Sequence, residues 1–393
     1  MLNGIKVLSF THYLQGPSAV QTLADLGADV TKVEPPKGAY ERHWSGFDTY
    51  MNGVSVFFMM ANRNQKSLAI DLKSPEGKEI IYKLVKQADV VVENFRPGVM
   101  EKLGFGYEAL AALNPRLIYC SCTGYGSSGP YLGKAGQDLL IQGLSGLASL
   151  TGKADSGPTP VGTAPVDQHG AVLAALGVLA ALFDRERTGK GHKVDCNLLN
   201  AALDLQIEPL NYFLNKGPLW DKLNSGLCTR FHQAPYGVYR TADGWITLSL
   251  APVDKLREAF GSDSLDGYTA EDQMMRRDEV DRIVADEMKK RTTADWYEIF
   301  DRLDIWHTPA NEYADVVRDP QVAWNEMIVS MNVPVAGEVK TLSHPNRYDG
   351  KAPPIRMSPP RLGEHTAAIL RDAGVDDDSI AALVEKGVVR VAQ

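Results

Sequence analysis

The sequence predicts an α/β protein with a large domain on a doubly wound parallel sheet and a smaller α+β domain. Three observations predict it. Over the first two hundred residues, short β-branched runs alternate with helical segments, the pattern of parallel strands joined by crossover helices. From about Gly226 the style changes to a hairpin followed by charged helical stretches. At 393 residues the chain exceeds what one ordinary core accommodates.

The elements follow in order. Ile5 to Phe10 is a short strand, and Ser18 to Leu26 is a helix ended by Gly27. Asp29 to Glu34 is the next strand, stopped by Pro35-Pro36. Ser67 to Leu72 is a strand, and Ser74-Pro75-Glu76 opens a helix with proline in its first turn. The strand Ala88 to Glu93, the helix Tyr107 to Leu113 and the strand Leu117 to Ser121 continue the alternation. A helical apolar run, Leu139 to Leu150, leads into a turn at Thr151 to Pro158. A small-residue helix, Gly170 to Arg187, is followed by the strand Lys193 to Asn197 and a helix over Leu198 to Leu214. Tyr236 to Leu250 reads as a hairpin turning at Asp243-Gly244. Helical, charged segments run from Val253 to about Leu303, and a terminal helix spans His365 to Ala373. The expected division is a large domain over 1–215, a small domain over 226–325, and a segment, 326–393, returning to the large domain.

Composition excludes several classes. Hydrophobic residues at 44% and charged residues at 23% are ordinary for a globular protein, and the net charge of −8 argues against nucleic acid as partner. The N-terminus lacks the basic-then-apolar layout of a signal peptide. Ala171 to Phe183, the longest apolar stretch, is too short to span a bilayer. Cys120, Cys122, Cys196 and Cys228 lack the spacing of a disulfide scaffold, and Cys120-x-Cys122 lies in a strand-like run where free thiols pack as small hydrophobes. A cytoplasmic protein with no membrane partner and no metal is expected.

Three loops follow predicted strands in the first domain: Thr11 to Pro17, Glu93 to Gly98 with Lys102 one turn on, and Thr123 to Pro130. Each places glycine and proline near a helix start, where free backbone N–H groups meet anions. Arg96 and Lys102 add positive charge, Phe95 and Tyr125 offer flat surfaces, and Asn62 to Lys66 forms a further basic run. Each loop also reads as an ordinary turn, and the spacing G-x-G-x-x-G is missing from the first. The turn at Thr151 to Pro158 sets Asp155 among small residues, a carboxylate placed as a nucleophile toward an activated acyl group or as a plain turn acid.

Together the chain resembles the family III CoA-transferases, a group related to α-methylacyl-CoA racemase, from about Leu2 to Val389. The resemblance is carried, in order, by Leu23 to Val30 with Lys32-Val-Glu-Pro35, by Asn62 to Leu72, and by Ala88 to Val99. Asn114 to Tyr119, Thr188 to Asp195 and Arg361 to Thr366 complete it. It implies a Rossmann-like large domain in an interlocked homodimer. It implies an enzyme that moves CoA from an acyl-CoA to a small carboxylic acid, with CoA as substrate and no permanent cofactor. By the same resemblance Asp155 is the nucleophile, passing through an acyl anhydride and an aspartyl-CoA thioester. Asn94, Phe95 and Lys102 match CoA contacts, and Lys66 matches a basic residue near the nucleotide. His12, Tyr13, Leu14 and Gln15 match the loop lining the acyl site, and Tyr125 an aromatic beside the thioester. Lys66 and Lys102 stand where some relatives carry arginine, which removes bidentate phosphate contact. A glycine-rich closing loop of the formyl-CoA enzymes is missing. Arg230 and His232 are candidates for an acceptor carboxylate in that region, or brace a hinge. The racemase alternative needs a histidine and aspartate pair; Asp138 matches the aspartate, but no histidine lies between His43 and His169.

Overall fold

A computed structural model describes residues 1–392. Its contacts divide into two units: 1–141 with 164–202 and 320–392, and 142–163 with 203–319. The cut differs from the one read in sequence. The stretch 142–163, expected in the large domain, groups with the second unit, and the chain therefore enters that unit twice.

The first unit is built on strands β1 (Lys6–Phe10), β2 (Asp29–Glu34), β3 (Gln65–Ile70), β4 (Val90–Glu93), β5 (Ile118–Thr123), β6 (Lys193–Asn197) and β7 (Val389–Arg390). They lie in the order β7-β3-β2-β1-β4-β5-β6, and all pairs are parallel except β7 with β3. Successive residues face opposite sides of a strand, and each face is buried. Val7, Val90, Val92, Ile118, Cys120 and Cys122 pack on one side against α1 (Gln15–Asp25) and the long helix introduced below, over 165–188. Leu8, Val91, Leu117 and Tyr119 pack on the other, against α2 (Pro75–Val85) and α3 (Tyr107–Leu113). The cysteine pair expected to pack in a strand does so, buried in β5.

Helix α4 (Pro165–Thr188) crosses the first face. It is long and apolar enough to cross a membrane by length and composition, longer than the apolar run suggested. Its Ala171, Ala174, Ala175, Val178 and Ala181 are instead buried against the sheet. Alanines let the helix axis approach closely. The return of the C-terminus is realised by α5 (Thr366–Asp372) and α6 (Asp377–Glu385), with β7 added to the sheet edge. A hairpin of Ile328–Val333 and Gly337–Leu342 precedes them.

The second unit holds the expected hairpin, Tyr236–Arg240 with Trp245–Ser249, widened by His307–Pro309. Helices over Val253–Phe260, Arg277–Met288 and Thr293–Leu303 cover it with a core of Leu248, Leu256, Val284, Trp296 and Phe300. The single helix expected over 198–214 is two, Leu198–Leu205 and Ile207–Leu214, because the chain leaves helical geometry at Gln206.

Candidate active site

In the order β3-β2-β1-β4-β5-β6 the winding reverses between β1 and β4, and ligands of open α/β sheets bind beyond the strand ends at such a reversal. The loops that leave β1 and β4 are two of the three singled out in the sequence. They are joined side chain to backbone. The Asn94 carboxamide accepts from His12 N–H at 2.9 Å and donates to His12 C=O at 2.8 Å. The Phe95 and His12 rings stack with centroids 5.3 Å apart.

The β1 loop is held under constraint. Tyr13 has φ of 60°, a left-handed conformation uncommon for a side chain of its size. Such strain persists only where surroundings fix it, and it clusters at ligand clamps. On one side the fully buried Lys32 donates to Thr11 C=O at 2.8 Å while paired with buried Glu41 at 2.8 Å. On the other, Asn94 fixes His12. Gly16 permits this closeness, since a Cβ there would stand 2.7 Å from Thr11 Cβ and 3.0 Å from Asn94 Cγ. Burial lowers the pKa of His12, Glu41 opposes that and Lys32 adds to it.

The same loop meets the first turns of α4. Buried Gln15 lies against Gly170, where a Cβ would stand 2.7 Å from its amide nitrogen, and its amide donates to Cys196 Sγ at 3.9 Å. One turn before Gly170, at the third residue of α4, is Asp167. This half-buried carboxylate was overlooked in the sequence. Burial pushes its pKa up to about 7, with the neighbouring Asp138 adding to the rise. Asp138 is itself buried, and its Oδ2 accepts the N–H groups of Val166 at 2.8 Å and Asp167 at 3.0 Å. Asp138 therefore satisfies the free amides at the start of α4, which leaves Asp167 facing a like charge.

The other expected residues are dispersed. Leu14 flanks the start of α1. Lys66, on β3, pairs with Asp29 at 2.8 Å, and Arg96 and Lys102 are exposed near the β4 loop. Tyr125 donates to Ala135 C=O at 3.2 Å and packs edge-on to Tyr131. Asp155 belongs to the second unit. It is exposed in a 3₁₀ turn, Ala154–Ser156, where its N–H donates to Asn224 Oδ1 at 3.1 Å. Lys222 pins that turn through the carbonyls of Thr151 and Gly157. Arg230 and His232 are also in the second unit and engaged there. Arg230 donates to Trp220 C=O at 2.7 Å, and His232 stacks on Tyr236 at 4.2 Å.

A half-buried carboxylate with raised proton affinity, one turn before the glycine that packs on Gln15, suits attack on an acyl carbon. The signal for Asp167 was faint: an acid two residues after Pro165, in the first turn of a helix. What distinguishes it, burial and Asp138, is set by the fold.

Comparison with known proteins agrees with this architecture. Residues 2–366 match the family described as CoA-transferase family III. The chain is 32% identical over 402 residues to succinyl-CoA:glutarate CoA-transferase of Mus musculus, covering 99% of this chain and 90% of that protein. It is 34% identical over 402 residues to succinyl-CoA–D-citramalate CoA-transferase of Chloroflexus aurantiacus, covering 99% and 98%. Among solved structures it is similar to a CaiB/BaiF family protein from Brucella suis, with TM-score 0.82 and 31% identity over 95% of this chain and 99% of that one.

Proposed function

The chain belongs to CoA-transferase family III and is an acyl-CoA:carboxylate CoA-transferase; from that premise we propose that Asp167, rather than Asp155, is its nucleophile. The observation that carries this reading is the placement of Asp167, half-buried beside Asp138 in the first turn of α4 and one turn before the Gly170 that packs on Gln15, where burial pushes its pKa up to about 7. A more basic carboxylate is the better nucleophile once ionised. Asp155, exposed in a turn of the second unit, has no comparable surroundings.

In the reaction, an Asp167 oxygen attacks the thioester carbonyl of the donor. The C–S bond breaks, CoA leaves as thiolate, and an acyl–aspartyl anhydride forms. The thiolate attacks the Asp167 carbonyl carbon and releases the donor acid as a carboxylate, leaving an aspartyl-CoA thioester. The acceptor carboxylate attacks that thioester, and the thiolate then attacks the acceptor carbonyl of the new anhydride. The products are the acceptor's CoA ester and Asp167 restored as a carboxylate. Gln15 and the strained Tyr13 loop hold the acyl group in place, and Asn94 with Phe95 receives CoA, with Arg96 and Lys102 as the nearby cations. Since the mouse relative is named for succinyl-CoA and glutarate, small dicarboxylic acids are the proposed exchange partners.

The homodimer of the resemblance is supported by apolar residues left exposed on α4. Val172 and Leu176 (each 59% exposed) and Phe183 (69%) lie on the face away from the buried alanines. Replacing Asp167 by Ala is expected to lower exchange between succinyl-CoA and a panel of acids by at least about a thousandfold. Undiminished exchange in that variant would remove Asp167 from the role.

A further inference from the structure

We propose that Glu93 is a positioning residue for CoA, fixing from inside the protein the Asn94–Phe95 corner that receives the ligand, and that it does this best as a carboxylate. The inference rests on the reading of that corner as part of the CoA site.

Glu93 is the last residue of β4 and is only 5% exposed. Its Oε2 accepts the Phe95 N–H at 2.9 Å, two residues on, which closes the backbone into the turn. Its Oε1 accepts the hydroxyl of Ser121, the residue opposite it on β5. No arginine or lysine pairs with it among the ion pairs of the described residues. A buried carboxylate without a counter-ion is a costly choice where an amide of the same shape would fit. What the charge adds is strength, since hydrogen bonds to an ionised acceptor are roughly twice those to a neutral one.

The corner carries more than its own loop. Asn94 grips both backbone groups of His12, and Phe95 stacks on the His12 ring. One internal carboxylate thus anchors the point from which both switch-point loops are arranged. Burial pushes its pKa up to about 7. Ser121 and the Phe95 amide pull it down, Glu101 raises it and Lys193 lowers it. Tyr119, on the same face of β5 as Ser121, is itself pushed up and stays neutral. Protonation below neutral pH converts the strong acceptor into a weak one, so CoA affinity falls as pH falls.

The test is calorimetric titration of CoA into the full-length protein between pH 5.5 and 8.5, for wild type, Glu93→Gln, Ser121→Ala and Asn94→Ala. Glu93→Gln imitates the protonated state. It is expected to bind CoA about five- to tenfold more weakly than wild type at pH 8 and equally at pH 5.5. Titration of the ligand's own phosphate is common to all variants and cancels in the ratio. Ser121→Ala removes a bond that favours the ionised form, so the midpoint of the affinity change moves to higher pH. A merely structural Glu93 moves no midpoint. If Glu93→Gln binds like wild type at every pH while Asn94→Ala binds weakly, the role of Glu93 is overturned and the CoA corner stands. If Asn94→Ala also binds like wild type, the corner itself is misassigned and the proposal falls with it.

Discussion

With Asp167 as the proposed nucleophile, two measurable consequences follow from its surroundings. Its folded pKa lies near 7, above the ordinary carboxylate value. The reactive form is the ionised one, so kcat/KM for the acyl-CoA rises with pH through about 7 and levels off above; a pH–rate profile with an acid limb near 4 would contradict the assignment. The same shift is a stability statement. Below about pH 4 Asp167 is protonated in both folded and unfolded chains and contributes nothing. Above that the unfolded chain ionises more readily, so the fold is penalised, fully so above pH 7. Asp167→Asn is therefore expected to be inactive yet more stable at pH 8 by about 1–2 kcal/mol, a rise of about 1–2 °C in melting temperature that disappears at acid pH. Differential scanning calorimetry at the two pH values checks it.

At the scale of elements, the site depends on how closely the β1 loop approaches α4. Gly170 makes that approach possible, because a methyl group there would meet the Gln15 amide at 2.7 Å. Alanine also favours a helix over glycine by about 0.5–1 kcal/mol. Gly170→Ala is thus expected to leave the melting temperature unchanged or slightly raised while kcat/KM drops about tenfold. Parallel loss of stability and activity would mean Gln15 has no positioning role. The strands were legible as short β-branched runs between turn residues, and β2 and β6 lie where the sequence places them. Strand β7 was not legible, since two residues carry no period; its pairing to β3 is decided by the packing of α5 and α6. The switch-point loops were visible as Gly-Pro and Asn-Phe-Arg-Pro punctuation. Asp167 was not, because its partner Asp138 lies 29 residues back and only the folded chain brings them together. Asp155 was legible through the glycine and proline around it, which mark a turn whatever its role.

At the scale of the whole molecule, α4 has two unlike faces. Its alanine side fills the core, and Val172, Leu176 and Phe183 remain in contact with water. Apolar groups repeating along one face suit the proposed homodimer, in which they would be covered. The wild-type protein is expected to sediment at twice its 43.0 kDa chain mass, and Leu176→Glu with Phe183→Glu to sediment as a monomer or precipitate. A stable dimer in the double variant would place the interface elsewhere.

The central claim is that the acyl group passes through Asp167. Incubation with succinyl-CoA followed by hydroxylamine converts an aspartyl anhydride or thioester into a hydroxamate, which peptide mass spectrometry locates. The modification is expected on Asp167 in the peptide of α4. A hydroxamate on Asp155, or on no aspartate at all, would contradict the account.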